Sequence, residues 1–279
     1  MTMDPNNPQA SLMADESMLR TLAAQAAAIW PQERGLLDRY WLAADCCVLD
    51  AGCGSGEFAS RLARAYPRAQ VTGVDVLASS IALAGDRYAA LASHLHFEQG
   101  DAFALRFADA SFDLVACRHV TQAVPQADRL LAELVRVTRP GGWLHVLSED
   151  YSMLQMMSGP LDPDRLWRDG PVQFAAATGT DARIGRKTWS ILKRLGLVDL
   201  RVDYVIVDTL RVDRETFADI MIAWRDGYAE SLAAHSAFSA AEVRQHFDEI
   251  IHSIRDPNDY AVWFVPVVSG QRPLALTEK

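Results

Sequence analysis

The sequence predicts an α/β fold: a mostly parallel sheet with helices on both faces, forming one domain with helical additions. Three observations carry this. Five short apolar runs recur along the first half of the 279-residue chain, helical stretches separate them, and the first run ends in an acid followed by glycines. A buried parallel strand reads as such a run, and the tight turn after it marks the start of a βαβ unit.

Taken in order, a helix is expected from Ser11 to Trp30, where Leu12, Met18, Leu19, Leu22, Ala26 and Ile29 recur at helical spacing and Pro31 ends it. A second short helix is expected over 33–42. The strands follow at 46–50, 70–76, 95–99, 112–117 and 142–147, with helices at 57–66, 79–92 and 126–137 between them. The last third differs. A helix over 181–195 precedes a long strand, 198–208, and a mostly helical stretch, 211–256, carries Phe217, Ile220, Met221, Trp224 and Tyr228 on one face. A final strand over 260–268 contains Pro266, best tolerated on an edge or at a bulge. The expected division is a helical cap at 1–43, a core at 44–210 and 257–270, and a helical insertion at 211–256.

Composition bounds the function. Hydrophobic residues make up 50% and charged ones 23%, enough to bury a full core. The net charge of −9 counts against nucleic acid as the main partner, since phosphate recognition needs clustered Lys and Arg. No apolar run approaches the roughly 18 residues needed to span a membrane. Residues 1–8 lack the basic start and apolar segment of a signal peptide. Cys46, Cys47, Cys53 and Cys117 show no paired framework. A cytoplasmic protein is expected.

The sharpest feature is Asp50-Ala51-Gly52-Cys53-Gly54-Ser55-Gly56-Glu57. Glycines at a strand-to-helix turn let backbone approach a ligand closely. A dinucleotide fingerprint would place its third glycine at position 57, which is Glu57 here. Asp50 and Glu57 would repel a pyrophosphate; a ligand carrying an ammonium and a sulfonium suits them better. Asp75, ending the second strand, is stationed to accept both hydroxyls of a ribose, with Val76 beside it. Asp101, with Ala102 and Phe103, is placed to meet an adenine.

In these elements, and in Phe112-Asp113-Leu114-Val115-Ala116-Cys117-Arg118-His119-Val120 and the Pro140-Gly141-Gly142 turn, the sequence resembles the class I S-adenosylmethionine-dependent methyltransferases. The resemblance is close over about 44–150. It implies a Rossmann-like, seven-stranded sheet with the last strand antiparallel between the fifth and sixth. It also implies S-adenosylmethionine as methyl donor, bound by Asp50, Ala51, Gly52, Cys53, Gly54, Gly56, Asp75, Val76, Asp101, Ala102, Phe103, Cys117 and Arg118. Arg20, on the N-terminal helix, would pair the methionyl carboxylate or else remain a surface arginine.

The station after the fourth strand lacks the boxes of the amino-methylating DNA enzymes and of the arginine methyltransferases. It also lacks the acids that would hold a divalent cation, so no metal is expected. It looks more like the quinone-type enzymes, with His119 where those have Asn. A small, planar metabolite methylated on N or O is the favoured substrate. Protein side-chain methylation, and a non-catalytic donor-binding subunit or sensor, stand as alternatives, and a homodimer is left open.

His119, at the carboxyl end of the fourth strand, is a candidate base or a helix-capping residue. Glu149 and Asp150 alternate after the fifth strand, so one of them enters the pocket. Asp150 with Tyr151 is the expected substrate contact or base, a solvated turn the alternative. Trp224, Tyr228 and Trp263 would line an aromatic pocket or form cap core. Arg183, Arg186, Lys187, Lys193 and Arg194 read as the polar face of a helix. Cys53 and Cys117 read as small packing residues.

Overall fold

The structure, a computed structural model, describes residues 8–9, 16–157 and 159–274. The first residues of the expected N-terminal helix, 11–15, lie outside them. Helix α1 (Glu16–Leu37) leads into a 3-10 turn and strand β1 (Cys47–Ala51). Then come α2 (Glu57–Ala65), β2 (Gln70–Asp75), α3 (Ala78–Arg87), β3 (Leu95–Gln99), β4 (Phe112–Arg118), α4 (Ala127–Val137) and β5 (Thr138–Leu147). A two-residue β6 (Leu154–Gln155), the short helices α5 (Pro163–Asp169) and α6 (Pro171–Thr178), and α7 (Gly185–Arg194) follow. The chain ends with β7 (Val198–Asp208), α8 (Arg214–His235), α9 (Ala240–Arg255) and β8 (Val262–Gln271).

The sheet runs β3-β2-β1-β4-β5-β8, and β7 also pairs with β8. Strands β1 to β5 are parallel, and β8 is antiparallel between β5 and β7, as expected. Both β6 and β7 pair with β8 at Val262 and Trp263, so they occupy opposite edges; β6 therefore resumes the line that β5 leaves at Leu147. Strand alternation sorts the core. Val48, Leu114 and Ala116 pack with Phe58 and Leu62 on one face; Leu49, Val115 and Cys117 pack with Leu130, Leu131 and Leu134 on the other. A third cluster joins α1, α5, α8, α9 and β8 above the end of the sheet.

Two expectations need correction. Helix α1 does not stop at Pro31; it continues to Leu37 and replaces most of the separate helix expected at 33–42. A proline inside a helix costs about 3 kcal/mol through the lost amide bond and ring clash. Tertiary anchors just beyond it prevail: the Gln32 side chain bonds both to the carbonyl (2.8 Å) and from the amide (3.1 Å) of Ile206, and Leu37 is fully buried. Pro266 lies on an interior strand. Its carbonyl accepts from the Ser148 amide, so its N-side faces the break between β5 and β6, where a missing donor costs no ladder bond. Helices α5 and α6 were not foreseen, yet each opens on a proline at its start, and Asp162 caps the first by accepting from the Asp164 amide.

Candidate active site

The glycine loop forms because β1 must turn sharply where another chain segment crosses. Gly52 has φ 77°, and a Cβ there would fall 2.3 Å from Val120; one on Gly54, at φ 51°, would fall 2.7 Å from Leu22 of α1. The Gly52 and Cys53 amides donate to the Val74 carbonyl, and the Gly54 amide donates to Asp75 Oδ2 at 2.8 Å. Asp75 Oδ1 accepts from the Leu77 amide. Burial pushes the Asp75 carboxyl up, and these amides pull the other way.

Beside the loop lies a cavity of about 860 Å³, open mouth included. Of the residues singled out from sequence, Gly52, Gly54, Asp75, Val76, Asp101, Ala102, Phe103, Arg118 and His119 line it. Others of the proposed set stand elsewhere. Ala51, Cys53 and Cys117 are buried packing residues whose thiols, where present, are pushed up by burial; a Cβ on Gly56 would meet Phe97. Arg20 pairs with Asp226 across α8 at 3.0 Å, away from the cavity. Glu57 is held by Arg61 and Arg87. The expectation that Asp50 and Glu57 face a cationic ligand is therefore corrected: of the four acids, Asp75 and Asp101 line the cavity.

Asp50 is almost fully buried and one of its carboxylate oxygens has no partner. Desolvation pushes its pKa up to about 7, against the pull of Arg118. A raised carboxyl costs stability once it ionises in the fold; that cost is absent below about 3.8 and grows with pH until about 7. Asp50→Asn should therefore raise the thermal midpoint at pH 8 and lose that advantage by pH 4. Melting curves across this range check it, and an advantage larger at pH 4 would refute the sign.

A second cavity, about 690 Å³ with its mouth, adjoins the first at Leu22, His119 and Ala123. His119 follows directly after β4 with φ 55°, a left-handed backbone that histidine tolerates better than most residues, and its amide donates to the Leu147 carbonyl. Nδ1 of His119 sits 2.7 Å from Glu149 Oε1, while its Nε2 is buried without a partner. Gln25 of α1 donates to Glu149 Oε1 at 3.4 Å and Tyr151 to Oε2 at 3.0 Å. Tyr151, Trp224 and Tyr228 line this cavity; Trp263 is buried behind it, 5.4 Å from the Trp224 ring.

Alternation after β5 thus selects Glu149. Asp150 is corrected: it is fully buried facing the other way, clamped by Arg186 of α7 at 2.5 and 2.9 Å and accepting from the Ser152 amide. Its partner comes from the basic cluster, in which Lys187 likewise pairs with Asp181. Gln25 and Gln122, both lining the second cavity, were missed in the sequence; the one signal was a glutamine at an otherwise apolar helical position of α1.

Residues 48–142 match a family model described as a methyltransferase domain. Residues 48–142 are thus similar to methyltransferase domains. Over 157 residues it is 34% identical to trans-aconitate 2-methyltransferase of Deinococcus radiodurans, covering 55% of this chain and 58% of that one. Over 137 residues it is 34% identical to demethylmenaquinone methyltransferase of the same organism, covering 49% and 51%. The chain therefore spans little more than half the length of these curated relatives. Among solved structures, phosphoethanolamine N-methyltransferase 2 of Haemonchus contortus superposes with a TM-score of 0.59 at 19% identity, covering 94% of this chain and 59% of that one; this likeness concerns the fold. The methyltransferase domain binds S-adenosylmethionine as a family, and the first cavity fits such a ligand. Its lining includes the carboxylates Asp75 and Asp101 and, opposite in charge, Arg118, whose buried Nη2 has no hydrogen-bond partner. No helix among the described residues is long and apolar enough to cross a membrane.

Proposed function

We propose that the protein transfers a methyl group from S-adenosylmethionine to a small molecule held in the second cavity. One observation carries this reading: His119 lines both cavities where they adjoin, with Nδ1 fixed by Glu149 and Nε2 without a hydrogen-bond partner. The donor's sulfonium supplies an activated methyl group, so no metal is needed for the displacement. The chain's own residues bind, align and accept a proton. Asp75 would hold the ribose hydroxyls, Asp101 and Phe103 the adenine, and Arg118 with the Gly52–Gly54 backbone the methionyl end. Helix α1, which reaches the glycine loop through Leu22 and the second cavity through Gln25, closes over both and excludes water.

That cover also weighs against protein side-chain methylation, which needs an open groove. A donor-binding sensor lacks any use for an open histidine nitrogen beside a second cavity. The acceptor atom, N, O or C, does not transfer from the relatives. The direct test is formation of S-adenosylhomocysteine from S-adenosylmethionine on incubation with fractionated small-molecule extracts. Tight donor binding with no product from any fraction would sink the catalytic reading. Asp75→Asn should weaken donor binding by about 10–100-fold, the loss of a charged acceptor worth about 1.5–3 kcal/mol. Titration calorimetry measures this, and unchanged affinity would remove Asp75 from the role.

A further inference from the structure

We infer that the second cavity selects an uncharged, ring-bearing molecule that presents hydroxyl groups, and that it discriminates against carboxylates and phosphates. This rests on the methyl-transfer reading for its direction of chemistry, but the binding claim stands on the cavity alone.

The wall is aromatic. Tyr151, Trp167, Phe174, Trp224, Tyr228 and Phe247 contribute to it, and their faces and edges favour a flat apolar body. Its charges are sparse. Among the described residues, no lysine or arginine lines the cavity, and Glu149 is the one carboxylate there. Two basic side chains of the neighbouring elements are committed elsewhere: Arg186 pairs with Asp150 and Arg118 with Glu33. An anionic ligand would bring its charge beside Glu149 with no cation to receive it.

The polar atoms are specific as well. Three residues that line the cavity each carry a buried side-chain atom without a hydrogen-bond partner: His119 Nε2, Gln122 Oε1 and Trp167 Nε1. With Glu149 accepting from Nδ1–H, Nε2 is the ring nitrogen left to accept. The Gln122 oxygen is an acceptor too. The Trp167 indole N–H is a donor, so a ligand that satisfies all three must donate twice and accept once, as hydroxyl groups can and a carboxylate, which only accepts, cannot. A cationic amine gains little from Glu149, whose oxygens already receive His119, Gln25 and Tyr151. During transfer, the acceptor oxygen bonds to the methyl carbon as the carbon–sulfur bond breaks. The bonding pair stays on sulfur, and the O–H proton passes to His119 Nε2.

The test is calorimetric titration of the full chain, saturated with S-adenosylhomocysteine, with three probes on one bicyclic skeleton: 2-naphthol, 2-naphthoate and 2-naphthylmethylammonium. The expected result is that 2-naphthol binds and each charged probe binds at least about 30-fold more weakly. A charged probe binding as tightly as 2-naphthol, or no binding by 2-naphthol, would overturn the inference. Location is read with naphthalene-2,3-diol, whose second hydroxyl can donate to Gln122: Gln122→Leu is expected to weaken the diol about tenfold while leaving S-adenosylhomocysteine affinity unchanged, since Gln122 does not line the donor cavity. Unchanged affinity of the diol in both Gln122→Leu and Trp224→Leu would place the probe elsewhere and also overturn it. The two readings fail separately. Binding selectivity without any S-adenosylhomocysteine from hydroxylated acceptors defeats methyl transfer alone; turnover of carboxylates only defeats the selectivity alone.

Discussion

Replacing Glu33 with alanine is expected to lower the unfolding free energy by about 3–5 kcal/mol, the range for removing one partner of a buried charge pair. Glu33 comes from α1 and is completely buried under the sheet. Its Oε1 lies 2.9 Å from Arg118 Nε and 3.0 Å from His145 Nε2, and His145 Nδ1 in turn meets the Tyr40 hydroxyl at 2.7 Å. The Arg118 guanidinium also stands 4.4 Å over the Phe58 ring. Burial alone would raise the Glu33 carboxyl, but Arg118 and His145 outweigh it and hold the group below its usual range. The folded pKa being depressed, this contribution is present above the ordinary glutamate range near 4.5 and is lost as pH falls through the lower folded value. Alanine removes the anion and leaves the buried guanidinium of Arg118 uncompensated. Denaturant unfolding at neutral pH reads the effect, and a loss under 1 kcal/mol would contradict it. Glu33→Leu combined with Arg118→Leu should be less destabilising than Glu33→Ala alone, because neither charge is then stranded. Arg118 also lines the donor cavity, so Glu33→Ala should weaken donor binding where the variant remains folded.

That cluster shows where legibility in the sequence ended. The glycine loop, Asp75 and the strand–helix alternation are local: residue type and spacing within one βα unit specify backbone geometry, and the structure places them at one cavity. Asp50 misled because an acid at a strand end reads alike whether its side chain enters the crevice or is swallowed by the core. Its orientation depends on packing from elements some distance away in sequence. Asp150 against Glu149 was a parity question. Strand alternation limited the entry to one of the two, but the phase was set by Arg186, 36 residues later. Glu33, His145 and Tyr40 could not be joined from sequence at all. Their partnership spans separations of 105 and 112 residues, and a glutamate on an amphipathic helix ordinarily signals its wet face. Pro31 failed for a related reason, a local breaking tendency overruled by contacts from β7.

His119→Asn is expected to lower turnover by about 10²–10⁴-fold, the range for losing a positioned general base, with donor affinity changed by much less. Asparagine suits the test because it accepts the left-handed backbone that His119 adopts, so the β4 terminus and its bond to the Leu147 carbonyl persist. The geometry divides the labour. Glu149 fixes Nδ1 and thereby the tautomer, and Gln25 and Tyr151 fix Glu149. Glu149→Gln should consequently cost less than His119→Asn, since an amide can still orient the ring while no longer supporting its positive charge. Three readouts separate a base from a structural role. In His119→Gly, added imidazole should restore part of the rate, because glycine opens the space and keeps the backbone conformation. Acceptors with more acidic hydroxyls should lose less activity in His119→Asn than weakly acidic ones, since they need less help in releasing a proton. The turnover number should fall while the Michaelis constant for the donor stays close to its original value. If the loss were uniform across acceptor acidity and imidazole gave no rescue, His119 would be a positioning residue. Proton release would then proceed to water after methyl transfer, as it can when the nucleophile needs no base.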